Sequence, residues 1–175
     1  MLDRRELVRQ LLIDRGDLLV VSGLGSATYD TAAAGDHPLN FYLWGAMGGT
    51  AMIGLGLALA QPQKRVAVLT GDGDMLMGLG SLATIGVKQP KNLAIVVLDN
   101  AHYGETGMQA SHTEAGVSLT GVARACNIDA VFEIADDADA VDDIVGAGCD
   151  MAFDGNLQVA ILLSQRLIGR KQWTR

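Results

Sequence analysis

Residues 65–100, RVAVLTGDGDMLMGLGSLATIGVKQPKNLAIVVLDN, hold two uninterrupted aliphatic runs, 65–70 and 92–98, separated by a segment long enough for one helix. Runs of strand length without polar alternation suit strands that helices cover on both faces, so they predict central parallel strands joined by a crossover helix over 77–87. Upstream, a second aliphatic run at 18–22 ends in Gly23-Leu24-Gly25-Ser26, and Leu7, Leu11 and Leu12 recur before it at helical spacing. Residues 40–43 read as another strand, and 48–60 as a helix whose small residues pack closely against neighbours. Downstream the alternation continues, with helix at 119–125, strand at 130–134, helix at 138–147 and strand at 158–163. The pattern predicts an α/β fold, a three-layer doubly wound parallel sheet, in a single domain spanning 1–175. Right-handed crossovers would bring the loops after Ser22, Thr70 and Leu98 together at the carboxyl edge of the sheet, where open α/β sheets bind ligands.

Composition narrows the function. Hydrophobic residues are 49% of the 175 and charged ones 19%, enough apolar surface to offset chain entropy in one ordinary domain. The net charge of −7, without a dense Lys/Arg cluster, argues against nucleic acid as a partner. The two cysteines, Cys126 and Cys149, lack zinc-ligand spacing and read as buried thiols. The charged amphipathic N-terminus lacks a signal peptide's apolar core, and residues 46–60, broken by glycines, are short for a membrane span. A cytoplasmic location is expected. The tail from Arg166 onward is the segment expected to be loosely held.

The residues most specific for chemistry are Gly71-Asp72-Gly73 at the end of one central strand and Asp99-Asn100 at the end of the next. A carboxylate and a carboxamide oxygen at adjacent strand ends are hard ligands suited to Mg²⁺, which completes its shell with phosphate oxygens and water. Glycines beside Asp72 let backbone N–H groups approach a phosphate. Taken alone, Gly-Asp-Gly is equally a common turn. An EF-hand is excluded by Met75, Leu76 and Met77 at positions that need oxygen ligands or glycine. A dinucleotide fingerprint is weak because Gly23-Leu24-Gly25 lacks its third glycine.

This ordered pair, with Asp-Asn in place of the usual Asn-Asn, resembles the cofactor motif of thiamine-diphosphate-dependent 2-oxo acid decarboxylases. Upstream, Leu43-Trp44-Gly45-Ala46-Met47-Gly48 resembles the segment that cradles the aminopyrimidine ring in that family. The resemblance runs from about Ser22 to Gln109. It implies that Asp72, the Asn100 side chain and the His102 carbonyl ligate Mg²⁺, while Ser26 and the backbone at Gly71, Gly73 and Asp74 hold the diphosphate of thiamine diphosphate. It further implies that the Gly45 carbonyl meets the pyrimidine amino group and that Met47 wedges beneath the bent cofactor. Many relatives carry Ser or Ala where this chain has Asp74, so that carboxylate either turns away or binds a water. The loop from His102 through Tyr103, Gly104 and Glu105 to Gln109 is expected to close over the cofactor. Glu105 and His112 are candidates for proton transfer or substrate recognition, against the plainer reading of polar loop residues.

The family also needs a glutamate that activates the pyrimidine ring, carried on a separate pyrimidine-binding domain. The resemblance therefore implies a second small subunit and a small-molecule 2-oxo acid substrate. Short length and the run DNAHYGETGMQ (99–109) resemble the β subunits of sulfopyruvate decarboxylases, with a similar loop in phosphonopyruvate decarboxylases. Acetolactate-synthase-like or benzoylformate-decarboxylase-like enzymes are the alternative within the family, and a non-catalytic binding or regulatory domain is the alternative outside it.

Overall fold

The computed structural model describes residues 4–128 and the backbone of 130–134 and 158–163. The chain begins α1 (Arg4–Leu11), β1 (Leu19–Ser22), α2 (Ser26–Ala33), β2 (Asn40–Tyr42) and α3 (Thr50–Ala60). It continues through β3 (Val66–Gly71), α4 (Asp72–Met77), α5 (Ser81–Lys88) and β4 (Leu93–Asp99). A small antiparallel hairpin, β5 (His102–Tyr103) with β6 (Gln109–Ala110), precedes α6 (Leu119–Ala125), β7 (Ala130–Ile134) and β8 (Gln158–Leu163). Six strands pair in parallel in the order β2-β1-β3-β4-β8-β7.

The two aliphatic runs are buried on both sides, as strand period 2 requires. Val66 and Val68 of β3, with Leu93, Ile95 and Val97 of β4, join one core with Leu55 and Ala58 of α3, Leu82 and Ile85 of α5 and Leu119 of α6. Ala67, Leu69, Val96 and Leu98 join the opposite core with Leu7 and Val8 of α1 and Ala27 of α2. The three-layer α/β expectation is borne out.

Two local expectations are corrected, and one helix, α2, was not expected. The crossover helix expected over 77–87 is instead two helices, α4 and α5, interrupted at Gly78–Gly80. The interruption has a packing cause: a Cβ on Gly78 would lie 2.1 Å from the Gly48 carbonyl oxygen, so the chain turns here against the α3 entry loop. Helix α2 has no marked apolar stripe to announce it. It is fixed by tertiary contact, where the fully buried Asp30 carboxylate accepts from the Arg4 and Arg5 guanidiniums. Cys126 is half-buried rather than buried, because it caps the C-terminus of α6 at the molecular surface. Cys149, the helix expected at 138–147 and the tail from Arg166 fall outside the described residues. Among the described residues, no helix is long and apolar enough to cross a membrane.

The sheet order places a topological switch between β1 and β3. From β1 the chain enters α2 on one face, whereas from the adjacent β3 it enters α4 and α5 on the other. The two loops part at the carboxyl ends of the strands and open a crevice, the usual ligand position in this architecture.

Candidate active site

The crevice is lined by Leu24, Ser26 and Ala27 after β1, by Gly71 through Asp74 after β3, and by Leu98, Asn100 and residues 102–106 after β4. Met47 enters from the loop before α3, and Arg4 from α1. The sequence-predicted residues Ser26, Met47, Gly71, Asp72, Gly73, Asp74, Asn100, His102, Tyr103, Gly104 and Glu105 thus share one cleft. Gly45 and His112 are exposed and stand outside its wall. His112 reaches it only indirectly, through a long 3.4 Å contact between its Nδ1 and the Tyr103 hydroxyl.

Gly71 is the last residue of β3 and the N-cap of α4, so strand passes directly into helix and no loop separates them. The first-turn N–H groups at Asp72, Gly73 and Asp74 therefore fall at the cleft, where helix geometry leaves them without intrahelical acceptors. Gly73 admits no side chain: a Cβ there would lie 2.7 Å from the Tyr103 ring, with Met47 Cε 3.6 Å away. That places the tip of Met47 and the Tyr103 ring over the same backbone, one on the loop before α3 and one on the hairpin.

The Asp74 carboxylate faces away from the space an anion would take. It accepts from the Gly48 N–H and from the Thr70 hydroxyl. Gly48 has φ +87° and Gly45 +83°, so the loop before α3 has a left-handed residue on each side of Met47. Behind this junction, a Cβ on Gly23 would meet Asp74 Oδ2 at 2.8 Å and Thr70 Oγ1 at 2.9 Å, which explains a glycine directly after β1.

At the end of β4, Asn100 Oδ1 accepts from the His102 N–H at 3.0 Å, and His102 Nδ1 lies 2.9 Å from the Asn100 carbonyl. Ala101 between them has φ +60°, an uncommon conformation for a residue with a Cβ and one concentrated at functional sites. It is held there by its N–H donating to Asp99 Oδ1 at 2.8 Å. Asp72 is 2% exposed, and its Oδ2 accepts from the Ser111 hydroxyl. Sequence reading missed Ser111, Thr113 and Arg4. None belongs to a strand-end motif, and each reaches the site through the fold rather than through local spacing.

Among the described residues, no three His, Cys, Asp or Glu side chains cluster as an all-protein metal cage. One carboxylate and one carboxamide, facing a cleft rimmed by free N–H groups, instead fit a hard cation shared with a phosphorylated ligand. Residues 23–154 match the family described as thiamine pyrophosphate enzyme, C-terminal TPP binding domain. The chain belongs to this family.

As a thiamine pyrophosphate-binding domain it has relatives of different chain lengths. It is 39% identical over 129 residues to the sulfopyruvate decarboxylase subunit beta of Methanocaldococcus jannaschii, covering 73% of this chain and 68% of that one. It is 45% identical over 115 residues to the phosphonopyruvate decarboxylase of Streptomyces viridochromogenes, covering 66% of this chain but 28% of that one. Among solved structures, the 2-oxoglutarate:ferredoxin oxidoreductase from Magnetococcus marinus superposes with a TM-score of 0.71 over 91% of this chain and 60% of that one. At 17% identity, that likeness speaks for the fold alone. The family expectation of the sequence analysis, and with it the cofactor, is borne out.

Proposed function

We propose that the chain is the β-type subunit of a split thiamine-diphosphate enzyme that decarboxylates a 3-substituted pyruvate, such as sulfopyruvate, to the corresponding aldehyde. The observation that carries this reading is the convergence of Asp72, Asn100, Ser26 and Met47 on one switch-point cleft in a chain 39% identical to a sulfopyruvate decarboxylase β subunit. The match to a protein named as a subunit beta, over 68% of its length, supports a division of labour between two chains.

In this reading Asp72, the Asn100 carboxamide and the His102 carbonyl hold Mg²⁺. The Ser26 hydroxyl and the N–H groups of Gly71, Gly73 and Asp74 hold the diphosphate. Bound thiamine diphosphate supplies a nucleophilic thiazolium carbon and an electron sink for loss of CO₂. The chain's own residues orient it. Met47 shapes the floor of the cleft, Gly45 offers its carbonyl to the pyrimidine amino group, and Tyr103, Gly104 and Glu105 cover the opening. Glu105 is better placed than His112 for proton transfer, because it stands in the cleft wall. The activating glutamate comes from a partner subunit carrying the pyrimidine-binding domain. Phe41, Trp44 and Met77, large apolar side chains left 52%, 83% and 63% exposed, lie on segments bordering the cleft and suit that partner.

The test is CO₂ release by the complex purified from its own cells, with Mg²⁺ and thiamine diphosphate, from sulfopyruvate, phosphonopyruvate and unsubstituted pyruvate. Turnover of the two acid-bearing substrates well above pyruvate is expected. Preference for pyruvate would move the enzyme toward the acetolactate-synthase-like alternative, and a cofactor-loaded complex inert to all three would support a non-catalytic domain.

A further inference from the structure

Four buried polar side chains form one continuous line from the end of β4 to the start of α4. Thr113 Oγ1 donates to Asp99 Oδ1 at 2.9 Å, Ser111 Oγ lies 2.9 Å from Thr113 Oγ1, and Ser111 Oγ donates to Asp72 Oδ2. Asp99, Thr113, Ser111 and Asp72 are 1%, 7%, 3% and 2% exposed. The line is anchored at Asp99 and at Ser111: the Ala101 N–H donates to the same Asp99 oxygen, and the Ser111 N–H donates to the Ala101 carbonyl at 2.8 Å. The hairpin β5–β6 thus delivers Ser111 back onto the carboxylate that opens α4.

Two hydroxyl protons serve three contacts. While both carboxylates are charged, the protons go outward to them, because a hydrogen bond to an ionised acceptor is about twice as strong as a neutral one. Ser111 therefore spends its proton on Asp72, and Thr113, held by its own bond to Asp99, braces Ser111 by position, its Oγ1 standing 2.9 Å from Ser111 Oγ. Among the described residues Ser111 is the hydrogen-bond donor to Asp72, and it takes Oδ2. Oδ1 is left for another ligand.

We infer that Ser111, braced by Thr113 and Asp99, is a positioning residue that fixes the Asp72 carboxylate so that Oδ1 presents to the metal ion. The inference rests on the reading of Asp72 as a Mg²⁺ ligand given above. Partners of a metal-ligating carboxylate set its orientation, and their removal costs about 10–100-fold in metal affinity or activity. The hydroxyl at position 111 acts on the metal, not on the substrate.

The experiment uses the complex purified from its own cells, stripped of cofactor and titrated with Mg²⁺ at fixed thiamine diphosphate, with cofactor binding followed by calorimetry. Ser111→Ala is expected to raise the Mg²⁺ concentration for half-saturation by roughly tenfold or more. Ser111→Thr, which keeps the hydroxyl, should restore it to within about threefold of wild type, and Thr113→Val should shift it by a smaller factor than Ser111→Ala. Asp72→Ala should abolish Mg²⁺-dependent binding. An unchanged Mg²⁺ requirement in Ser111→Ala, with Asp72→Ala inactive in binding, overturns the positioning role and leaves the ligand reading intact. Asp72→Ala binding like wild type overturns the ligand reading, and this inference with it. If Ser111→Ala fails to fold, Thr113→Val decides: a Mg²⁺ requirement equal to wild type rejects the brace.

Discussion

Asp74 illustrates how one side chain can serve a site it does not face. Its carboxylate ties the Gly48 N–H to the Thr70 hydroxyl, so it holds the loop before α3 against the end of β3, from which α4 and Asp72 follow. Its own N–H remains on the cleft side, which supports the first of the two alternatives the sequence left open. Asp74→Ala would leave a part-buried N–H and a buried hydroxyl without their acceptor, at a cost of up to about 1–3 kcal/mol for each unsatisfied group. Urea unfolding of that variant should show a loss of this order, and an unchanged midpoint would mean the junction is not a structural tie. Met47 is a different case, because its tip lies at the cleft and not in a core. Met47→Ala is expected to lower kcat by about tenfold, which is about 1.4 kcal/mol. Cofactor affinity should move much less, since the diphosphate anchor is untouched. Parallel losses in kcat and cofactor Kd, read from kinetics and calorimetry, would remove its wedge role.

Helix α3 shows why its many small residues are not interchangeable. Gly54 lies against β3, where an added Cβ would come 2.2 Å from Val68 Cγ2. Gly56, two residues on and exposed, has nothing within 4 Å of an added Cβ. Gly54→Ala gains up to about 1 kcal/mol of helix propensity and incurs about 1–3 kcal/mol of overpacking, for a net loss. Gly56→Ala carries the same propensity gain without the clash, so it should stabilise by about 0.5–1 kcal/mol. Thermal unfolding of the pair should move in opposite directions. A shared direction would mean that α3 adjusts its distance from the sheet, contrary to close packing. The same logic explains the break between α4 and α5, where Gly78 approaches the Gly48 carbonyl so closely that no side chain fits.

Across the whole molecule, the described residues line the cleft from the strand ends, α1, the loop before α3 and the hairpin. In the proposed function these elements would supply a floor for the cofactor, while large apolar side chains at Phe41, Trp44 and Met77 stay exposed on bordering segments. If a partner subunit closes the cleft there, Trp44 leaves water on assembly. With Trp173 replaced by Phe, so that Trp44 is the remaining tryptophan, emission should shift to shorter wavelength when the complex forms. A complex that forms without any shift would place the partner on another face.

The runs at 65–70 and 92–98 determined the parallel sheet, because an aliphatic run without alternation is stable as a strand only between two covering layers. Asp72 and Asn100 were legible for a related reason: in such a sheet, residues just past adjacent strands must meet at one edge. What the sequence left unread are the partners of those residues. Ser111 reaches Asp72 across 39 positions and Gly48 reaches Asp74 across 26. Helix α2 was likewise missed, since its buried Asp30 is stabilised by arginines on α1 rather than by an apolar stripe of its own. Local pattern reports which groups a segment wants to bury, and it fixed the layers and the strand ends. Which hydroxyl meets which carboxylate depends on where a distant loop returns, and only the packed tertiary structure decides that.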